Sequence, residues 1–101
     1  MNAPDDAEKR QQSIDLLNNT HEFPQPLMVK VIGKQQTDFV KQVAQLVESH
    51  LQLPEPPQVQ TRETAGGRHV SVTLEPTFES AEQVLDLYEQ LRALPDVVML
   101  L

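Results

Sequence analysis

The sequence contains no cysteine. Disulfide bonds, thiolate-ligated zinc, iron–sulfur clusters and cysteine nucleophiles are therefore excluded, and nothing indicates an oxidising compartment. Histidine is almost as scarce, since only His21, His50 and His69 are present. None of them has a carboxylate or a second histidine at the helical spacing that a metal site needs. We therefore expect no metal, no cofactor and no catalytic residue.

Long apolar runs are also missing. No segment approaches the roughly 20 apolar residues of a membrane-spanning helix. The first residues, MNAPDDAEKRQQ, carry mixed charge and no apolar stretch. The sequence therefore predicts neither a signal peptide nor a membrane anchor, and a cytoplasmic location.

Positively charged residues are also scarce. Fifteen acidic residues face eight basic ones, which gives a formal net charge of −7. Such a surface repels phosphate backbones and anionic lipid, so we expect no nucleic-acid partner and no membrane partner. The acidic residues are spread along the chain, which is typical of a solvated surface.

The first 22 residues differ in character from the rest. They are polar, contain Pro4 and show no apolar periodicity up to Gln12. The segment 13–17 can form one helical turn. We predict a disordered or partly helical tail over residues 1–22, followed by one folded domain over residues 23–101.

Apolar periodicity predicts four strands and two helices in the folded part. Two adjacent glycines, Gly66 and Gly67, favour a tight hairpin loop between strands that end near 65 and begin near 68. Another strand covers 27–33, and a last one runs from 96 to 101. One amphipathic helix starts with Thr37 or Asp38 as its N-cap, and the other starts at a capping box over 80–83.

The element order is therefore strand, helix, strand, strand, helix, strand. This order predicts an α+β, ferredoxin-like βαββαβ sandwich, with a four-stranded antiparallel sheet and both helices on one face. The expected order across the sheet is fourth, first, third, second strand. Its helix-facing side is predicted to take Leu27, Val29, Val31, Val70, Val72, Leu74, Val97, Met99 and Leu101.

The other side of the sheet is then left open. Its outward residues on the first and fourth strands are predicted to be Met28, Lys30, Ile32, Val98 and Leu100. A contiguous apolar patch usually marks an interface, so we expect a homodimer or a protein partner there. The competing hypothesis is that the N-terminal segment, through Ile14, Leu16 and Leu17, folds back over this face.

The loop after the first strand is a second candidate site. It reads from Gly33 to Thr37, and Lys34 together with free amides at the helix start near Thr37 can hold an anion. An ordinary loop lysine explains the same residues. A small acylphosphatase-like enzyme or an anion-binding protein using this loop is the alternative function, although the loop offers no arginine cradle.

Three strings carry a resemblance to a known family: EFPQPLMVKVIG at 22–33, GRHVSV at 67–72 and VVMLL at 97–101. They resemble the YbeD-like family of small uncharacterised bacterial proteins. Members are similar in fold to ACT regulatory domains, ferredoxin-like modules that pair sheets and bind small effectors at their interfaces. The family has no established activity, so the resemblance supports the fold and leaves the function open. Our first hypothesis is a non-enzymatic regulatory or adaptor module that acts through its open sheet face, with a possible small-molecule effector.

Overall fold

The computed structural model describes residues 3–35, 38–64 and 66–101. Within these ranges the chain forms three helices and six strands. The helices are α1 (Ala3–Thr20), α2 (Phe39–Leu51) and α3 (Ala81–Arg92). The strands are β1 (Gln25–Pro26), β2 (Val29–Lys34), β3 (Gln60–Glu63), β4 (His69–Leu74), β5 (Thr77–Phe78) and β6 (Val97–Leu100). The fold is α+β with antiparallel pairing throughout these strands.

The main sheet has four strands in the order β3-β4-β2-β6. This is the predicted order. In the hairpin, Thr61 lies opposite Val72 and Glu63 lies opposite Val70, which is the register that a two-residue Gly66-Gly67 loop predicts. Gly66 and Gly67 both have positive φ, at 87° and 69°. Glycine reaches this region without a steric penalty, which explains why the chain can reverse here.

A two-stranded sheet made by β1 and β5 was not predicted. It continues the register of the β2–β4 ladder, since Val29 lies opposite Leu74 and Pro26 lies opposite Thr77. Between the two ladders only the Leu27 N–H bonds across, to the Pro76 carbonyl at 3.1 Å. Proline has no N–H to donate, so the ladder is interrupted at the prolines and the sheet divides into two.

One core lies between the main sheet and helices α2 and α3. Each helix contributes a single stripe: Phe39, Val43 and Val47 from α2, and Val84, Leu87 and Leu91 from α3. The sheet and β5 supply the remaining buried members of this cluster, which are Val29, Val31, Val70, Val72, Leu74 and Phe78. The amphipathic pattern of both helices therefore positions them on the same apolar core.

The start of α3, unlike that of α2, is set by side-chain hydrogen bonds. The Ser80 hydroxyl accepts a bond from the Gln83 N–H at 3.3 Å, and the Gln83 side-chain oxygen accepts one from the Glu79 N–H at 2.7 Å. The Ser80 half of the predicted capping box is thus present at the start of α3, whereas Gln83 reaches the N–H of Glu79, one residue before the N-cap. Helix α2 has Asp38 as its N-cap, without a side-chain capping bond; Thr37 lies outside the described residues.

Helix α1 is longer than the single helical turn expected over 13–17 within a disordered or partly helical tail. It is 18 residues long and packs against α3. Its apolar content is low, and this hid it from the sequence pattern. Ile14 is nevertheless buried, and Leu17 packs on the core cluster. In the part of the chain that is described, no helix is long and apolar enough to cross a membrane.

Candidate interaction surface

The two faces of the main sheet differ in exposure. Along β2, Val29, Val31 and Gly33 are buried under the helices, whereas Lys30 and Ile32 point the other way and are half-buried. Helix α1 packs on α3 and leaves Leu16 67% exposed. The N-terminal segment therefore lies on the helix layer, and the hypothesis that it covers the open face is wrong.

A bulge in β6 changes which of its residues reach the open face. Gly33 pairs with Val97 and Ile32 pairs with Met99, so Val98 is an extra residue in the strand. An extra residue reverses the facing of everything that follows it, because side chains alternate with a period of two. Leu100, opposite Val31, therefore packs on the core.

Three predicted positions on this strand are consequently wrong. Leu100 was expected on the open face and lies on the core side. Met99 and Leu101 were expected on the core side. Met99 pairs with Ile32, and Leu101 exchanges two backbone hydrogen bonds with Lys30, at 2.8 and 3.4 Å. Both residues therefore share the open face with their partners.

The resulting surface is called the open-face patch below. It comprises the apolar residues around Lys30, namely Met28, Ile32, Met99 and Leu101, with Val98 at the adjoining bulge. Four of the five are among the most exposed large hydrophobic residues of the described chain: Met28 63%, Val98 53%, Met99 49% and Leu101 56%. Contiguous exposure of this kind is uncommon on soluble monomers outside binding sites.

The opposite half of the same face is polar. The outward residues of β4 are His69, Ser71 and Thr73, and they pair with polar residues of β3 such as Arg62. The two edges of the sheet differ in the same way. Edge strand β3 reads Gln-Thr-Arg-Glu, whereas edge strand β6 reads Val-Val-Met-Leu. The apolar surface is therefore concentrated on β2 and β6.

A groove adjoins Met28 at the end of the sheet. It has a volume of about 490 Å³ and lies between the connector after α2 and the end of β4. Its walls include Leu53, Pro57 and Pro76 as well as the Glu75 carboxylate. No cationic side chain is among its described lining residues. The groove extends the apolar surface beyond the open-face patch but assembles no set of catalytic groups.

The anion loop predicted after the first strand is placed differently from the expectation. Gly33 and Lys34 belong to β2 and pair with Val70 and His69, so the loop starts later. Gly33 has no room for a ligand, because the Phe39 ring occupies the space where a side chain would stand. Lys34 is exposed. Thr37 falls outside the described residues, and an anion-binding role for this loop stays a prediction.

The three histidines do not converge. His21 makes an edge contact with Phe23, His50 accepts a bond from the Gln90 amide at 3.0 Å, and His69 lies on β4. Within the described ranges no three metal-ligating side chains come together.

Burial raises the pKa of Tyr88 above its ordinary value of 10, so this hydroxyl remains protonated at neutral pH.

The ion pairs between α1 and α3 were not predicted. Arg10 donates to Asp86 at 2.9 Å and to Glu89 at 3.4 Å. The sequence predicts only a solvated surface for its acidic residues. The spacing of the two carboxylates on α3 was visible in the sequence, but the arginine lies 76 and 79 residues away. No local pattern connects residues so distant in the chain.

The comparisons with known sequences give one consistent result. Residues 18–101 match a family model described as a protein of unknown function (DUF493). UPF0250 protein SG0794 of Sodalis glossinidius is 38% identical over 85 residues, which covers 84% of this chain and 95% of that protein. UPF0250 protein YbeD of Escherichia coli is 35% identical with the same coverage.

Two solved structures share the fold at low sequence identity. The ACT domain of a GTP pyrophosphokinase from Chlorobium tepidum has a TM-score of 0.54 and 10% identity, covering 76% of this chain and 97% of the domain. The solution structure of HP0495 from Helicobacter pylori has a TM-score of 0.53 and 15% identity, covering 78% of this chain and 87% of that protein. The similarity to an ACT domain agrees with a ferredoxin-like arrangement. This chain adds α1 and the β1–β5 ladder to that arrangement. By sequence, the chain belongs to the DUF493 family, together with its relative YbeD.

Proposed function

We propose that this protein is a small, non-enzymatic regulatory or adaptor module that acts through its open-face patch, by pairing with a second copy or with another protein. The single observation that carries the proposal is the exposure of Met28, Val98, Met99 and Leu101 on and beside one half of the sheet. Burying such a side chain is worth roughly 1.5–3 kcal/mol, so a few of them can drive association.

Two further observations support this function. The likeness to the ACT domain of a GTP pyrophosphokinase supports it through the fold alone. The chemistry of the open-face patch also supports association, because the patch consists of apolar side chains around one lysine. Such a surface favours contact with another apolar surface over catalysis.

The test is a double substitution, Met99→Lys with Leu101→Lys. Both side chains are exposed, so the change should leave the fold intact while placing two charges on the patch. If the protein self-associates, the molar mass of wild type measured by light scattering should exceed that of the monomer at high micromolar concentration. The double variant should then return to the monomer mass. If wild type is a monomer, a pull-down from bacterial lysate should recover a partner that the double variant loses.

Leu16→Lys is the matched control. Leu16 is 67% exposed on α1, away from the patch, and its substitution adds one charge, against two in the double variant. It should change neither mass nor partner recovery. A monomeric wild type that yields the same proteins as the double variant would contradict the proposal.

A further inference from the structure

A cleft between α1 and α3 gathers positive charge on an otherwise acidic protein. It has a volume of about 250 Å³. Helix α1 contributes Lys9 and Arg10, and α3 contributes Arg92 at its last turn. Three of the eight basic residues of the chain therefore line one small cavity, whereas the whole chain carries a net charge of −7. The general electrostatics of the protein does not explain this concentration.

The three cations are not equally compensated. Arg10 is held by Asp86 and Glu89 in a two-carboxylate clamp. Among the side chains of residues 6–35, 38–64 and 66–101, Lys9 and Arg92 form no ion pair. Three positive and two negative side chains leave a local charge of +1. A counter-ion in the cleft would offset the repulsion between the two unpaired cations.

The remaining polar groups in the cleft are donors as well. Ser13 and Tyr88 each bring a hydroxyl to the lining. The Tyr88 hydroxyl donates to the Leu101 carbonyl at 3.4 Å, which places this side of the cleft near the end of β6 and leaves Ser13 to supply the O–H donor for a ligand. Glu89 is the carboxylate among the lining residues, and Arg10 already engages it. The cleft therefore offers N–H and O–H donors to a ligand that must supply acceptors.

The size of the cleft limits the ligand further. Drug-sized molecules occupy pockets of roughly 300–1,000 Å³, so about 250 Å³ suits a smaller molecule. Leu85 and Tyr88 add apolar surface to the lining. The cationic side chains can make charge-assisted hydrogen bonds to oxyanions, which are stronger than hydrogen bonds between neutral groups.

We propose that the cleft between α1 and α3 binds a small polyanion bearing two or more oxyanion groups, with Lys9 and Arg92 as its principal contacts. Arg10 is fixed by its carboxylate clamp, and its remaining N–H groups supply a further donor. The ligand links the two helices, so binding also stabilises the docking of α1 on α3. The cleft shares no described lining residue with the open-face patch, and the two meet at the Leu101 backbone, to which the Tyr88 hydroxyl donates.

The chain provides its own spectroscopic probe for the cleft. Tyr88 is the one tyrosine of the sequence, and there is no tryptophan. Intrinsic fluorescence therefore reports largely from the wall of the proposed site. The full-length protein is titrated at low ionic strength with sodium pyrophosphate and, separately, with sodium citrate. A saturable fluorescence change with either anion is the expected result, and the tighter of the two distinguishes a phosphoryl from a carboxylate ligand.

The decisive comparison uses two variants with the same loss of charge. Lys9→Gln with Arg92→Gln should weaken binding by about tenfold or more, because two charge-assisted contacts are lost. Lys41→Gln with Arg68→Gln removes one exposed lysine and one exposed arginine outside the cleft and should weaken it by less than about twofold. The single variants Lys9→Gln and Arg92→Gln should fall between wild type and the double variant. Circular dichroism checks that each variant is folded.

Two results would overturn the inference. The first is that neither anion produces a saturable change at millimolar concentration. The second is that the two double variants lose affinity to the same degree, which would assign the binding to net charge rather than to the cleft. Neither result bears on the open-face patch, whose test is molar mass and partner recovery.

Discussion

At the scale of single residues, Gly33 is constrained by the Phe39 ring, which fills the space above its Cα. We expect Gly33→Ala to lower the free energy of unfolding by about 1–3 kcal/mol, because β2 and the fully buried Phe39 cannot separate without disturbing the core. Urea denaturation measures the change. In a Phe39→Leu background the same substitution should cost clearly less, since the smaller side chain leaves room. An equal cost in both backgrounds would show that the aromatic contact is not the cause.

Gln52 ends α2 in a conformation that glycine adopts more easily. Its φ is 53°, and the Leu53 N–H donates to the Glu48 carbonyl at 3.0 Å, as in a Schellman motif. We expect Gln52→Gly to raise the free energy of unfolding by up to about 1 kcal/mol, because the left-handed strain is removed. Gln45→Gly, the same substitution on the exposed side of α2, should lower it by about 1 kcal/mol. Thermal melting of the two variants should therefore shift in opposite directions.

Because Tyr88 is partly buried, its ionisation should make the free energy of unfolding depend on pH above about pH 10. Burial raises its pKa, so the folded protein keeps this proton to higher pH than the unfolded chain does. The stabilising contribution is complete below the ordinary pKa of 10 and is lost as the pH rises from there through the folded pKa. Tyr88→Phe should remove this part of the pH dependence from denaturation curves measured above and below pH 10. The phenol can be followed directly by ultraviolet absorbance, because no other tyrosine is present.

At the scale of elements, the two halves of α1 should contribute unequally. Deleting residues 1–12 removes the Arg10 ion pairs, which are partly exposed and worth about 0–1 kcal/mol. The melting temperature should then change by less than about 5 °C. Deleting residues 1–20 also removes Ile14 and Leu17, which pack on the fold, and should lower it by about 10 °C or more. Equal effects of the two deletions would mean that Ile14 and Leu17 do not anchor the helix.

The same contrast explains what the sequence could and could not predict about the elements. Strand β2, helices α2 and α3, and the β3–β4 register follow from patterns within about fifteen residues, and the structure has them. Helix α1 depends on two apolar contacts and on Arg10 meeting carboxylates far along the chain. Such pairing leaves no local periodicity to detect.

The interaction surface was predicted only in part for a similar reason. Met28, Lys30 and Ile32 were predicted on the open face, and Lys30 and Ile32 lie on it, because β2 alternates regularly. The β6 residues were misplaced because the bulge at Val98 has no compositional signature. The bulge is a property of how β6 pairs with β2, which the sequence of β6 alone does not reveal. A single extra residue then exchanged Leu100 for Met99 and Leu101 on that face.

At the scale of the whole molecule, net charge gives a prediction about association. Two copies that each carry −7 repel one another, and salt screens this repulsion while leaving apolar contact nearly unchanged. If the open-face patch pairs copies of the chain, added sodium chloride should strengthen dimer formation, as measured by sedimentation or light scattering. Binding of pyrophosphate or citrate to the α1–α3 cleft should weaken under the same conditions. Dimer formation that weakens with salt would indicate charged contacts in place of the apolar patch.

The unlike edges of the main sheet determine how far any assembly through strand pairing could grow. Edge strand β6 is uncharged and apolar, whereas edge strand β3 carries Arg62 and Glu63. Charged side chains on an edge oppose the addition of further strands. Two copies joined at β6 about a two-fold axis would therefore expose only β3 edges at both ends. Growth would stop at a closed dimer, and an open filament would be prevented by the composition of one four-residue strand.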